Sequence, residues 1–402
     1  MDGNQWYFLL HCEVSTINLL RKIKPHAIEF MKRSDMVLFS LCMICSIYGL
    51  IAIGSATKAY ESGSFKFLFV QIFGILVGIF LFILLTVLDL DVLADKWAFL
   101  FVFCIVLLLA LVPFGSDDGT GNKSWIRFMG IGIQPSEIVK VIYIVLMAKH
   151  ISYLKEYKNL NHVISVAQVA VHFVIFFGLI IVISGDLGSA LVFFFIFAIM
   201  LYFAGLKLYW FVLGIAAFAA LIPFAWENFL EDYQKARILA PYDPSIDPTG
   251  DGYLWQTNQS KLALASGQFW GTGLGKGPQT QNPSSNPAKH TDFILSVIGE
   301  ELGMFGCIIV FVLLMAIIIR CTYIGLTSKN LMSSLVCFGV AGTLLFQTFQ
   351  NIGMCTGLTP VIGLTLPFFS YGGSSVFSLF AAVGLVSGVK YRPKPERFYH
   401  YR

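Results

Sequence analysis

Apolar residues in this chain neither alternate nor recur on one helical face; they arrive in long, nearly unbroken runs separated by short polar stretches. Runs long enough to cross about 30 Å of hydrocarbon as helices lie near 36–56, 68–88, 97–114, 136–154, 164–184, 188–205, 207–229, 292–319, 331–356 and 372–390. The pattern predicts an all-α, polytopic integral membrane protein of about ten transmembrane helices. One connection stands apart. Between the seventh and eighth runs, residues 230–291 are polar and rich in Gly, Pro, Asn, Gln and Ser, yet carry Tyr233, Tyr242, Tyr253, Trp255, Phe269 and Trp270. A connection of that length is functional or disordered, and its aromatics argue against disorder.

Composition sharpens this. Hydrophobic residues make up 57% of the 402 and charged ones only 12%, well below the quarter or so usual for soluble domains. Most of the 27 Lys and Arg fall in alternate loops and at both ends, including Arg21, Lys32, Arg33, Lys149, Arg320, Lys329, Lys390 and Arg392. Because cytoplasmic loops retain such residues, both termini are expected inside and 230–291 outside. The organisation expected is one membrane domain over 1–402, with a cytoplasmic arm at 1–35 and a cytoplasmic tail at 391–402. The arm is too polar for a cleaved signal peptide. A net charge of +4 is explained by topology and gives no case for nucleic acid. Of eight cysteines, Cys12 lies in the arm and the rest lie in or beside apolar runs. Packing thiols are expected, including Cys42 and Cys45 despite their CxxC spacing.

Candidate chemistry sits where polar residues interrupt this scheme. In KHTDF, Thr291 or Asp292 caps the following helix, or Asp292 serves as a general base at the water–lipid boundary beside Lys289 and His290. Glu300 and Glu301 fall two turns further on, where an ionisable group needs a partner; pairing with a Lys or Arg from another span is the expectation. In QPSEIVK, Pro135, Ser136 and Glu137 read as a helix start. Lys140 either pairs with Glu137 three residues back or contacts substrate. Asp186 in SGDLGSA reads as a helix cap. In LPFFSYGGSS, Ser370 is expected to cap the last helix, with Gly372 and Gly373 allowing close helix approach. GTGLGKG, residues 271–277, reads as a flexible loop. No GxxxxGK[ST], HExxH or GxSxG is present, so ATP-driven pumping and the common hydrolase mechanisms lack their parts.

Together QPSEIVK, GDLGSA, YQKARI (233–238), GLGKG, HTDFILSVIGEELG and NIGMCTGLTPVIGLTLPFFSYGGSS resemble the SEDS family, typified by RodA, FtsW and SpoVE, over nearly the whole chain past residue 36. The resemblance implies a peptidoglycan glycosyltransferase that polymerises lipid II at the outer face of the bacterial cytoplasmic membrane. Its substrates would be lipid II and the growing undecaprenyl-pyrophosphate-linked glycan, its partner a class B penicillin-binding protein, its surroundings membrane lipid. The family's essential aspartate matches Asp292, its polar fourth-span residues Gln134, Glu137 and Lys140, and its aspartate after the fifth span Asp186. Arg237, Lys261, Lys276 and Lys289 are candidates to neutralise the leaving pyrophosphate, with His290 beside them. No metal-ligand cluster is legible, although a divalent cation, Mg or Mn, would suit a pyrophosphate leaving group. The chain departs from the family in NPA (286–288), where LPE is usual, and in Gln268, where a second glycine is usual. QTQ (279–281) leans towards RodA and GLGKG towards FtsW, so elongation, division and sporulation all stay open. Two other classes compete: a flippase or transporter of lipid-linked precursor, and a non-catalytic scaffold activating a penicillin-binding protein.

Overall fold

The computed structural model describes residues 28–392 except 61–62, 117–121, 129–130, 229 and 244. Cys12, most of the expected arm (1–27) and most of the expected tail (393–402) lie outside the described residues.

Nine helices among the described residues are long and apolar enough to cross a membrane. They are α1 Met36–Thr57, α2 Gly63–Val87, α3 Trp97–Leu109 with its continuation to Phe114, α5 Val163–Leu179 with a π-helical turn to Ser184, α6 Leu187–Ala204, α7 Leu208–Asn228, α10 Ile294–Thr327, α11 Leu331–Thr356 and α12 Gly373–Tyr391. The tenth expected span is α4, Pro135–Tyr157, a 23-residue helix made less apolar by Glu137, Lys140, Lys149, Lys155 and Glu156. Two shorter helices, α8 Asp232–Leu239 and α9 Trp255–Gly267, lie within the long connection. The all-α expectation needs one addition: the connection before α4 folds as a small antiparallel sheet of β1 Gly115–Ser116, β2 Trp125–Phe128 and β3 Ile131–Ile133.

The C-terminal helices form the centre. In their most apolar stretches α11 is 78% and α12 72% buried, against 17% for α3 and α5 and none for α7. Hydrophobic burial gains nothing between helices already in lipid, so close approach relies on small residues. Gly74 of α2 faces the backbone of Gly373 so closely that a Cβ there would lie 2.9 Å from it. The close approach expected of the 372–373 pair is therefore realised at Gly373, whereas a Cβ on Gly372 would meet only its own neighbour Ser375. The cysteines of the described residues are unpaired, and all but Cys307 are fully buried, as expected of packing thiols.

α10 differs from the uniform rod its sequence predicts. At Gly303 the backbone takes φ 70°, ψ −170° and the helix breaks. A break frees backbone groups that must find other partners. They find them in the long connection. Thr272 and Gly273 donate their amides to Glu300 O and Glu301 O, both at 2.9 Å, while Met304 and Phe305 donate theirs to Gln268 O and Phe269 O at 2.8 and 3.2 Å. At Gly303 and Gly271, whose φ is 79°, a side chain would strike the opposing backbone. The 271–277 stretch expected to be flexible is thus held by backbone hydrogen bonds.

The same docking corrects the expectation for the two glutamates. Among the described residues neither pairs with Lys or Arg. Glu300, fully buried, accepts from Gln279 N (2.8 Å), Thr280 N (2.7 Å), Thr280 Oγ1 (2.6 Å) and Ser266 Oγ (3.2 Å). Glu301 accepts from Ser55 Oγ (2.7 Å) and Gln281 Nε2 (3.2 Å). Amide and hydroxyl donors serve a carboxylate as well as a cation does and add direction, so these side chains clamp the connection onto α10.

Candidate active site

Asp292 lies on the short stretch between this docked connection and α10. It does not cap the helix: Phe293 occupies the cap position, and no side chain caps there. Instead the backbone around it is fixed from outside. Tyr371 N donates to His290 O at 2.9 Å, Ser370 Oγ to Thr291 O at 2.6 Å, and Asn351 Nδ2 to Asp292 O at 2.8 Å. Asn351 also donates to Leu364 O at 2.8 Å. Successive carbonyls are thus tied to α11 and to the 364–371 segment, leaving the Asp292 side chain to project beside Gly363.

That carboxylate is partly buried and accepts no hydrogen bond among the described residues. Burial pushes it up to about 6; Arg237 pulls it down and Asp186 pushes it further up. A carboxyl with that value accepts a proton near neutral pH, as a general base must.

Arg237 reaches this position from α8, which begins with a capping box formed by Glu231 and Gln234. It lines a small cavity of about 50 Å³ together with Tyr233, Asn122, Gly188 and the 360–362 backbone. On the other side lies the polar cluster of α4 and α6. Asp186 caps α6, as expected, by accepting from Ser189 N at 2.9 Å, and also accepts from Ser189 Oγ (2.7 Å) and Gln134 Nε2 (3.0 Å). Burial raises its carboxyl, the neighbouring Glu137 charge adding to the rise. Lys140 donates to both oxygens of Glu137, at 2.8 and 2.9 Å, deep in the bundle. The local pair is therefore formed, and its cation is engaged.

The other expected cations diverge from Asp292. Lys289 is buried and donates to Thr280 O (2.7 Å) and Asn282 O (2.8 Å), which commits it to holding the connection together. His290 is boxed by Tyr60, Phe67 and Tyr371, and burial drops its imidazole to about 4, with Lys289 adding to the fall. It is neutral and enclosed, so in this structure the residue that was a candidate substrate contact contributes packing. Lys261 lies against Gly357 at the C-terminus of α11, where cations are favourable. Lys276 is exposed and folds over Gly273.

A family model described as "cell cycle protein" and named for FtsW, RodA and SpoVE matches residues 35–394. The chain belongs to that family. A protein of Geobacter metallireducens named "Probable peptidoglycan glycosyltransferase FtsW" is 33% identical over 94% of this chain and 99% of its own length. "Peptidoglycan glycosyltransferase MrdB" of Escherichia coli K12 is also 33% identical, over 73% of this chain and 78% of its own. Among solved structures, a chain from work titled "Structural coordination of polymerization and crosslinking by a peptidoglycan synthase complex" matches with TM-score 0.75 and 29% identity, over 89% of this chain and 97% of that one. RodA of Thermus thermophilus matches at 0.65 and 25%, over 89% and 96%.

Within the SEDS fold several positions carry more of the site than their residue types announced. Asn351 and Ser370 hold the aspartate's backbone; both sit inside apolar-looking motifs that read as packing, and Ser370 does not cap α12, where Gly372 takes the cap position. Arg127 of β2 lies close enough to Tyr371 to pull its phenol down against the rise imposed by burial. The sheet that brings it there has strands too short for periodicity to reveal.

Proposed function

We propose that Asp292 is the general base of this peptidoglycan glycosyltransferase, which elongates a lipid-linked glycan with lipid II. The observation that carries the assignment is the Asp292 carboxylate itself: it accepts no hydrogen bond among the described residues, is pinned through its own carbonyl, and is raised to about 6 by burial against the pull of Arg237. In the proposed step the 4-hydroxyl oxygen of lipid II attacks the anomeric carbon of the growing chain. The new C–O bond forms as the bond to the pyrophosphate oxygen breaks, the hydroxyl proton passes to Asp292, and undecaprenyl pyrophosphate departs. Direct displacement inverts the anomeric centre. Pyrophosphate leaves without protonation, so one carboxylate suffices where a glycosidase uses two. Arg237 is the cation best placed to offset the developing charge. Since α8 follows α7 in the chain, and no residue of α7's most apolar stretch is fully buried, α7 offers a polyprenyl chain a lipid-facing flank near the Arg237 cavity.

The chain is membrane-embedded, and the proposed location is the bacterial cytoplasmic membrane with both ends inside and the long connection outside, following the Lys and Arg distribution. A class B penicillin-binding protein is the proposed partner. A divalent cation, Mg or Mn, would suit the pyrophosphate; among the described residues no three His, Cys, Asp or Glu converge, and the proposed step is written with this chain's own residues. The transport alternative needs available charges along the membrane path, and it is weakened because Lys140 is spent on Glu137 and the two glutamates on the docked connection.

The test uses the full chain co-purified with a class B penicillin-binding protein whose transpeptidase serine is replaced, supplied with labelled lipid II. Wild type is expected to give polymer and folded Asp292→Ala none. Equal polymer from both would remove Asp292 from the chemistry.

A further inference from the structure

The turn that follows α9 presents its largest side chains outward. Gln268 is held at φ 48° and Gly271 at φ 79°; a glutamine at positive φ is a strained position, of the kind kept where function requires it. Between them Phe269 and Trp270 are 50% and 76% exposed, with their rings edge to face at 4.9 Å. Trp270 also leans on Phe305 of α10, 5.9 Å between centroids. Met304, Phe305 and Ile308 continue the exposed apolar surface along α10, and residues 262–275 carry no charged side chain.

The depth of this patch follows from two ties between α10 and α1. At one end Arg320 binds Asp35, the cap of α1; at the other Glu301 accepts from Ser55 in the last turn of α1. From Glu301 to Arg320 the helix rises about 28 Å, close to the hydrocarbon thickness that a span must cross. The two ties therefore mark the edges of the apolar layer. Met304 and Phe305 lie about 5 Å inside the edge nearer Asp292, and their amides, bonded to Gln268 O and Phe269 O, seat the turn at the same level. Non-helical backbone is tolerated there because protein supplies its partners: the amides of Gly271, Thr272 and Gly273 donate to Gly267 O, Glu300 O and Glu301 O. Tryptophan favours such a boundary, its ring being apolar and its N–H polar. We infer that the Phe269–Trp270 turn inserts into the lipid bilayer where headgroups meet acyl chains. The connection that leads to Asp292 is thereby held at a fixed depth by lipid as well as by α10.

The full chain is reconstituted into vesicles of phosphatidylcholine, either plain or brominated on the acyl chain near the headgroup, with and without aqueous iodide. The tryptophan emission removed by Trp270→Phe is the Trp270 signal. It is expected to be largely lost in brominated vesicles and untouched by iodide. Phe305→Trp in the Trp270→Phe background puts the reporter on α10 itself and should be quenched alike. Unchanged thermal melting confirms that both variants are folded, and Trp270→Leu supplies the same difference should Trp270→Phe melt lower. A Trp270 signal quenched by iodide and spared by bromine, while the α10 reporter is quenched by bromine, places the turn in water and overturns the inference. Loss of the bromine quenching on co-reconstitution with a class B penicillin-binding protein assigns the patch to a protein partner and overturns it equally.

Discussion

Replacing Asp292 by Asn tests the site through stability and rate together. Burial raises this carboxyl from 3.8 to about 6, roughly two units, which at full value corresponds to about 3 kcal/mol charged against the folded state when the group is ionised. Partial exposure of the side chain makes about 1–3 kcal/mol the better range. The sign follows from the raised value. Between pH 4 and 6 the folded chain binds more protons than the unfolded one, so stability falls as pH rises through that window, and the cost is fully present above about 6. Asparagine keeps the shape and removes the charge. Asp292→Asn should therefore melt a few degrees higher than wild type at pH 7.5, and the two should converge towards pH 4. Meanwhile its lipid II polymerisation should fall about 10²–10⁴-fold, the usual contribution of a general base. Wild-type turnover should drop about tenfold per pH unit below the carboxyl value near 6, and residual activity of the variant should lack that inflection. A variant that polymerises within tenfold of wild type and keeps the inflection near 6 would refute the reasoning.

Arg237→Gln should slow polymerisation and shift the acid limb of the pH–rate profile upward, because Arg237 holds the Asp292 carboxyl down; an unmoved limb would separate the two residues. Asn351→Ala leaves the Leu364 carbonyl without this donor and the Asp292 carbonyl with the weak Cys355 thiol at 3.8 Å in its place, costing about 1–3 kcal/mol. Its signature as a positioning residue is a fall in kcat with KM for lipid II little changed, which steady-state kinetics will read. Gly303→Ala places a Cβ against Phe269 O at a positive φ, so the yield of folded, monodisperse protein in size-exclusion chromatography should collapse, whereas Gly178→Ala in α5, where an added Cβ meets nothing within 4 Å, should not lower it. Glu300→Gln retains the volume but replaces an anion that accepts from two amides and two hydroxyls. It should lower the melting temperature, since charge-assisted hydrogen bonds are worth about 1.5–3 kcal/mol each.

What the sequence made legible divides along a physical line. Span positions follow from apolar runs, because lipid imposes one length on every helix, and the ten expected runs correspond to ten helices. Asp186 as a cap and the Glu137–Lys140 pair were equally legible, because both are decided within a few residues of one helix. Periodicity misled where the chain stops being a helix. In a continuous rod, Glu300 and Glu301 diverge by about 100° and demand separate cationic partners, which is why a Lys or Arg from another span was expected for each. The break at Gly303 changes the question. Once α10 opens there, the 268–281 segment can enter with its own amides, and both glutamates are met by one piece of chain. Lys289, within hydrogen-bonding reach of that segment's carbonyls, is drawn into the same structure and away from any substrate phosphate. Of the cations expected at the site, Arg237 is the one that acts on the Asp292 carboxyl. Non-helical backbone near the membrane is tolerated when protein supplies its hydrogen bonds, and here that requirement seats the long connection against α10 immediately below Asp292. Asp292 is thus held from two sides, by Asn351, Ser370 and Tyr371 at the carbonyls around it and by the connection docked on the broken helix that follows it.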